Sequence, residues 1–154
     1  MGTGTNLPLL AEALGQTGRI VGLDISPAML GRCRDRLPGD GIEAQLVLGE
    51  AAHLPFREGG FDAVLHHGGL AEFGDRKGAI YEMARVTRSG GKVVICDAGS
   101  PTDRKLSLAN RLLLRFQSEY DRPPPTDLLP ERAKDVSVSW FHGGGWYMIE
   151  FVKP

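Results

Sequence analysis

The chain has 154 residues, enough to bury a core as one domain, and 18 basic against 19 acidic side chains leave it close to neutral. That balance gives no drive towards nucleic acid or an anionic membrane surface. Two cysteines make neither a disulfide framework nor a metal-ligand spacing, and no apolar run approaches the roughly 20 residues of a membrane span. A reducing cytosol suits these features, and the first residues do not read as a signal peptide. Glycine alone is out of proportion, with 21 residues placed where periodic segments end, as tight turns require.

In chain order, Met1 to Asn6 holds only loop formers. Asn6 reads as the cap of a helix over Leu7–Leu14, with Pro8 in its first turn and Gly15 ending it. Arg19–Leu23 is a short apolar run suited to a buried strand. Asp24 follows, and Ser26-Pro27 is an N-cap and first-position signal for a helix over Pro27–Leu37, which Pro38-Gly39 should stop. Ala44–Leu48 and Phe61–His66 read as further strands, separated by a polar loop. Asp75 caps a helix reaching about Thr87, with Ile80, Met83, Ala84 and Thr87 on one face. Ser89-Gly90-Gly91 should turn the chain into a strand over Lys92–Asp97. Alternation of helices and strands to this point argues for parallel strands with crossover helices.

The tail differs. Ser100 to Asp103 resembles a capping box, and the 3/4 spacing from Leu106 to Tyr120 predicts an amphipathic helix over Thr102–Tyr120 that carries Arg111 and Arg115. Pro123–Pro125 ends it. Strands over Val136–Trp140 and Trp146–Val152, joined by His142 to Gly145, can pair only antiparallel. The expected fold is a doubly wound, Rossmann-like α/β mixed sheet, mostly parallel with a C-terminal antiparallel hairpin, in one domain over 1–154.

Gly2 and Gly4 bracket Thr3 just before a helix, where small residues let backbone approach a ligand and the helix N-terminus presents free N–H groups. Alone, that pair is more often a turn. Asp24 ends the next strand 20 residues after Gly4, the spacing expected of a carboxylate that accepts ribose hydroxyls. Together they indicate a nucleoside-containing ligand. The other reading of Asp24 is a cap for the helix at Pro27. His66 and His67, as strand neighbours, face opposite ways and cannot readily share a metal, so no metal site is expected. Neutral imidazole at His67 suits proton removal near pH 7, and a packed or cofactor-lining histidine is the alternative. Glu82 and Arg85 read as a surface or fold-stabilising pair, Leu54 to Phe56 as a packing turn, and Trp140, Trp146 and Phe151 as hairpin core.

The ordered set Gly2-Thr-Gly-Thr-Asn-Leu7, Gly22-Leu-Asp-Ile-Ser-Pro-Ala-Met-Leu30, Leu54-Pro-Phe56, Gly60-Phe-Asp-Ala-Val64, and Glu82-x-x-Arg-Val86 followed by Gly90-Gly91 resembles the class I S-adenosylmethionine-dependent methyltransferases related to the ubiquinone and menaquinone biosynthesis enzymes. The resemblance covers about residues 2–97. It implies S-adenosylmethionine as cofactor and a small-molecule methyl acceptor; the charge balance and short apolar runs point to no nucleic acid and no membrane span, and a homo-oligomer is among the candidate assemblies. It places Gly2, Thr3 and Gly4 beneath the methionine and ribose, with Asn6 in the same segment. Asp24 falls on the ribose hydroxyls, Ile25 and Met29 near the adenine, and Glu50 and Ala51 at its amino group. His66 meets the cofactor and His67 the acceptor. Catalysis needs no assigned residue, because in-line alignment and water exclusion carry direct displacement to a nucleophilic acceptor.

The resemblance also implies a buried strand, an acid and another glycine before Gly2, and these are missing at the start of this sequence. The expectation is therefore a fold lacking its first central strand, from a fragment or mis-started frame. The rivals are a non-catalytic methyltransferase-like module and a nicotinamide-dependent dehydrogenase.

Overall fold

The computed structural model describes residues 1–101 and 122–154, and two compact units are distinguishable, Met1–Pro55 and Phe56–Pro154. The helix expected over Thr102–Tyr120, with Arg111 and Arg115, lies outside the described residues. No helix among the described residues is long and apolar enough to cross a membrane.

The first unit holds α1 (Leu7–Leu14), β1 (Ile20–Asp24), α2 (Pro27–Asp40) and β2 (Ala44–Leu48). β1 and β2 pair in parallel from Ile20 opposite Ala44 to Asp24 opposite Leu48. Parallel neighbours need a long crossover, and α2 supplies it. Two expectations are corrected here. The Asn6 side chain makes no capping bond, because its backbone is already helical (φ −89°, ψ −7°), away from the extended geometry a capping side chain uses. Pro38 does not stop α2, which runs on to Asp40. Proline there removes one N–H near the helix end, where closure comes from beyond it. Gly41 adopts a left-handed conformation, and Gly41 and Ile42 donate back to Pro38 and Leu37 at 3.3 and 3.2 Å.

The second unit holds β3 (Phe61–His67), α3 (Arg76–Val86), β4 (Thr87–Ala98), β5 (Lys134–Phe141) and β6 (Trp146–Val152). Its strand order is β3-β4-β6-β5. β3 and β4 are parallel, and β6 runs antiparallel to both β4 and β5. α3 packs on β3 and β4, and Asp75 caps it by accepting from the Gly78 N–H at 2.7 Å. The expected face is buried: Ile80, Met83, Ala84 and Thr87 all lie in the core, with Val93, Ile95, Ile149 and Phe151 from the strands. Each large aliphatic side chain so buried stabilises the unit by roughly 1.5–3 kcal/mol.

Ser89-Gly90-Gly91 is not a free turn but an irregular stretch within β4, where the register against β3 shifts. Gly90 has φ +73° and donates to the Lys153 carbonyl at 2.9 Å. A Cβ on Gly91 would lie 2.6 Å from the Asp62 carbonyl oxygen, so only glycine lets the strands approach there. The architecture is of the doubly wound, Rossmann-like α/β class, with parallel pairs and an antiparallel end. Among the described residues, β1 pairs only with β2 and β3 only with β4.

Candidate functional site

In the first unit the candidate residues gather at the carboxyl ends of β1 and β2, where parallel strands deliver ligand-binding groups. Asp24 is the last residue of β1. Its Oδ2 accepts from the Gly2 N–H at 2.6 Å and its Oδ1 from the Ser26 N–H at 2.9 Å. The Met1 nitrogen donates to the Leu23 carbonyl at 3.1 Å, which lays residues 1–2 across the strand end. Burial pushes the Asp24 carboxyl up, but the Ser26 and Gly2 N–H groups, together with the terminal ammonium 3.4 Å from Oδ2, hold it below its ordinary value. Ser26, not Asp24, is the side-chain cap of α2, accepting from the Met29 N–H at 3.4 Å.

The two glycines differ. Gly2 has φ +63° and open space where a Cβ would stand, whereas a Cβ on Gly4, at φ +77°, would meet Cys33 Sγ at 2.6 Å and Leu7 Cδ1 at 2.9 Å. Gly4 is therefore required by the packing of α1 and α2, and Gly2 presents an open backbone face. Thr3 and Asn6 are half-buried. Beyond β1, Ile25 is 69% and Met29 37% exposed, and Leu48 at the end of β2 is 58% exposed. Glu50 is exposed, with its Oε2 3.5 Å from Nδ1 of the exposed His53, and Ala51 beside it is half-buried.

In the second unit, His66 and His67 close β3 on opposite faces, as strand geometry requires. His66 meets Phe73 edge to face at 5.3 Å between ring centres. Its Nε2 is buried and has no hydrogen-bond partner among the described residues. Burial holds this imidazole neutral, lowering its pKa to about 4. His67 is exposed and stacks on Trp146 at 5.4 Å with 27° between planes. Trp146 is thus half-exposed rather than hairpin core, while Phe151 is core as expected. No group of three metal-binding side chains occurs among the described residues.

Asp97 is more than a strand terminus. It is 1% exposed, and its Oδ2 accepts from the Leu70 N–H at 2.6 Å. Its Oδ1 accepts from Ala98 at 2.8 Å and Gly69 at 3.3 Å. Burial outweighs these donors and pushes its carboxyl up. The available signal was an acid ending one strand where its parallel neighbour ends in Gly68-Gly69, whose N–H groups run out of ladder partners. Glu82 and Arg85 form an ion pair, as expected, with side chains only partly exposed. Phe56 packs edge to face on Phe61 at 5.0 Å.

A family model described as "Methyltransferase domain" matches residues 1–95. A demethylmenaquinone methyltransferase of Oceanobacillus iheyensis is 39% identical over 102 residues, which make up 66% of this chain and 43% of that protein. One from Shouchella clausii is 30% identical over 178 aligned positions, covering 99% of this chain and 76% of the relative. The chain thus spans less than half the length of the first of these relatives. Among solved structures, a SAM-dependent methyltransferase from Aquifex aeolicus superposes with TM-score 0.69 at 14% identity, covering 99% of this chain and 78% of that one. Haemonchus contortus phosphoethanolamine N-methyltransferase 2, in complex with S-adenosyl-L-methionine, superposes with TM-score 0.77 at 16% identity over 99% of this chain and 47% of that one.

Proposed function

Because the chain belongs to the methyltransferase domain family, we propose that it binds S-adenosylmethionine and transfers its methyl group to a small-molecule acceptor. The observation that carries this reading is the pairing of the Asp24 carboxylate at the end of β1 with exposed Ile25 and Met29 just beyond it. Apolar side chains left open beside a carboxylate suit a nucleoside. The acid receives hydroxyls, and the apolar surface covers a base.

The residues fit the cofactor on these grounds. Asp24 Oδ2 accepts from Gly2 and pairs with the terminal ammonium at 3.4 Å, and Oδ1 accepts from Ser26; of about four carboxylate lone-pair sites, capacity remains for a ribose hydroxyl on Oδ1. Apart from Gly2 itself and its chain neighbours, no atom lies within 4 Å of where a Gly2 Cβ would be, so a ligand can lie against its backbone, flanked by Thr3, Gly4 and Asn6. Glu50 and Ala51 are assigned to the adenine amino group. His66 is assigned to the methionine end and His67 to the acceptor. When bound, S-adenosylmethionine supplies a sulfonium methyl group open to direct displacement. The protein's part is to hold, orient and exclude water, with no catalytic residue assigned.

A quinone-type aromatic acceptor is proposed from the likeness to the two demethylmenaquinone methyltransferases, with a single domain over 1–154 working in the cytoplasm without nucleic acid. Titration calorimetry with S-adenosylhomocysteine tests the core of the proposal. Saturable binding that is lost in Asp24→Ala is expected, and a folded chain that shows no binding overturns it. Binding without methyl transfer to a reduced demethylated naphthoquinone would favour the non-catalytic alternative.

A further inference from the structure

We infer that Asp97 is a positioning residue that holds the His67 ring on Trp146 by clamping the backbone between β3 and the turn at Leu70–Glu72. The last ladder bond between β3 and β4 is the Gly68 N–H to the Cys96 carbonyl at 2.8 Å. Beyond it the chain turns through two left-handed residues, Gly68 at φ +75° and Gly69 at φ +85°, and leaves the ladder. The N–H groups of Gly69 and Leu70 then point to a single side chain, that of Asp97, which also binds its neighbour Ala98. Hydrogen bonds from three backbone donors to a carboxylate are each roughly twice as strong as those to a neutral acceptor.

The clamp lies between the two ring contacts of β3. Ala98, next to Asp97, is paired with Trp146 across β4 and β6, and Trp146 carries His67. On the other side the turn leads to Phe73, which carries His66. Releasing Gly69 and Leu70 leaves the Gly68 bond to Cys96 as the terminal tie of β3, so the strand end frays more readily and the His67 ring shifts on Trp146. The consequence for methyl transfer rests on the reading of His67 as acceptor-side. The clamp itself is measurable without any acceptor.

The test uses Trp146 fluorescence in a Trp140→Phe background, which leaves one tryptophan. Asp97→Asn keeps the shape but sets an amide N–H₂ against backbone N–H groups. His67→Ala removes the stacked ring directly. Asp97→Asn should move the Trp146 emission in the same direction as His67→Ala and by at least half as much. Combining the two should add little to His67→Ala alone, since both act through one contact. A folded Asp97→Asn variant with unchanged emission overturns the inference, as does full additivity. If Asp97→Asn fails to fold, amide resonances of the unsubstituted chain decide the matter. Leu70 should lie well downfield and exchange slowly, and an ordinary, fast-exchanging Leu70 amide overturns the clamp. Loss of S-adenosylhomocysteine binding in the unsubstituted chain would sink the cofactor reading and leave these results standing.

Discussion

Arg85 grips Glu82 through two parallel hydrogen bonds, Nε to Oε1 at 2.5 Å and Nη2 to Oε2 at 2.8 Å, while its Nη1 donates to the Phe56 carbonyl at 2.9 Å. The Arg85 carbonyl in turn accepts from the Gly59 N–H at 3.0 Å and from Lys153 Nζ at 2.9 Å. One residue of α3 therefore fastens the 56–59 loop from both its side chain and its backbone. The planar fork matters here, because a lysine can replace the charge but not two parallel donors plus a third. Arg85→Lys should lower stability by on the order of 1 kcal/mol, discounted because the pair is partly solvated. Urea unfolding would read this as a lower midpoint with unchanged slope, and an unchanged midpoint would show the fork to be idle.

The two N-terminal glycines should separate in their effects. Gly4→Ala puts a Cβ against Cys33 and Leu7 at a left-handed φ, so it should cost at least about 1–2 kcal/mol. Gly2→Ala has room for its Cβ and should cost less stability, yet it blocks the open backbone face and should weaken S-adenosylhomocysteine binding. Thermal melts and calorimetry on both variants check the split. Equal losses of stability would contradict it.

Asp24 should make the protein sensitive to acid. Its carboxyl is held below the ordinary value of 3.8 because the Ser26 and Gly2 N–H groups and the terminal ammonium together outweigh burial. A depressed folded-state pKa stabilises the fold above the unfolded value, and that stability is lost as pH falls from there through the folded value. Asp24→Asn should accordingly be less stable than the parent at pH 6, and the gap should narrow below about pH 4. A gap that is constant with pH would show that the charge plays no part.

His66 acts over a higher window. Its folded pKa is lowered to about 4 from 6.5 because burial disfavours the cation. Between these values the unfolded chain binds a proton that the folded chain does not, so stability falls as pH drops from 6.5 towards 4. His66→Gln should flatten the stability curve across that window. Denaturation midpoints at half-unit intervals of pH would show it, and a slope identical to the parent's would count against a buried neutral His66.

Much of the fold could be read in the sequence, because its signals are local. Ser26-Pro27, Asp75 and the glycine-flanked apolar runs act within a few residues of themselves, so α2, α3 and β2 begin where they were expected. Pro38 misled because the end of a helix depends on what closes it, and Gly41 closes α2 three residues later. The same distinction runs through the candidate site. Asp24 and the segment to Leu30 carry the family resemblance in their residue order alone. The tertiary structure, by contrast, decided that Gly4 is closed by Cys33 while Gly2 is open. It also turned Asp97 from a strand end into a clamp, and set His67 on a tryptophan 79 residues away in the sequence. Residue order determines local conformation and the identity of a motif. Only the register of β3, β4 and β6 brings Asp97, His67 and Trp146 together, because hydrogen-bonded ladders join residues that no spacing rule connects.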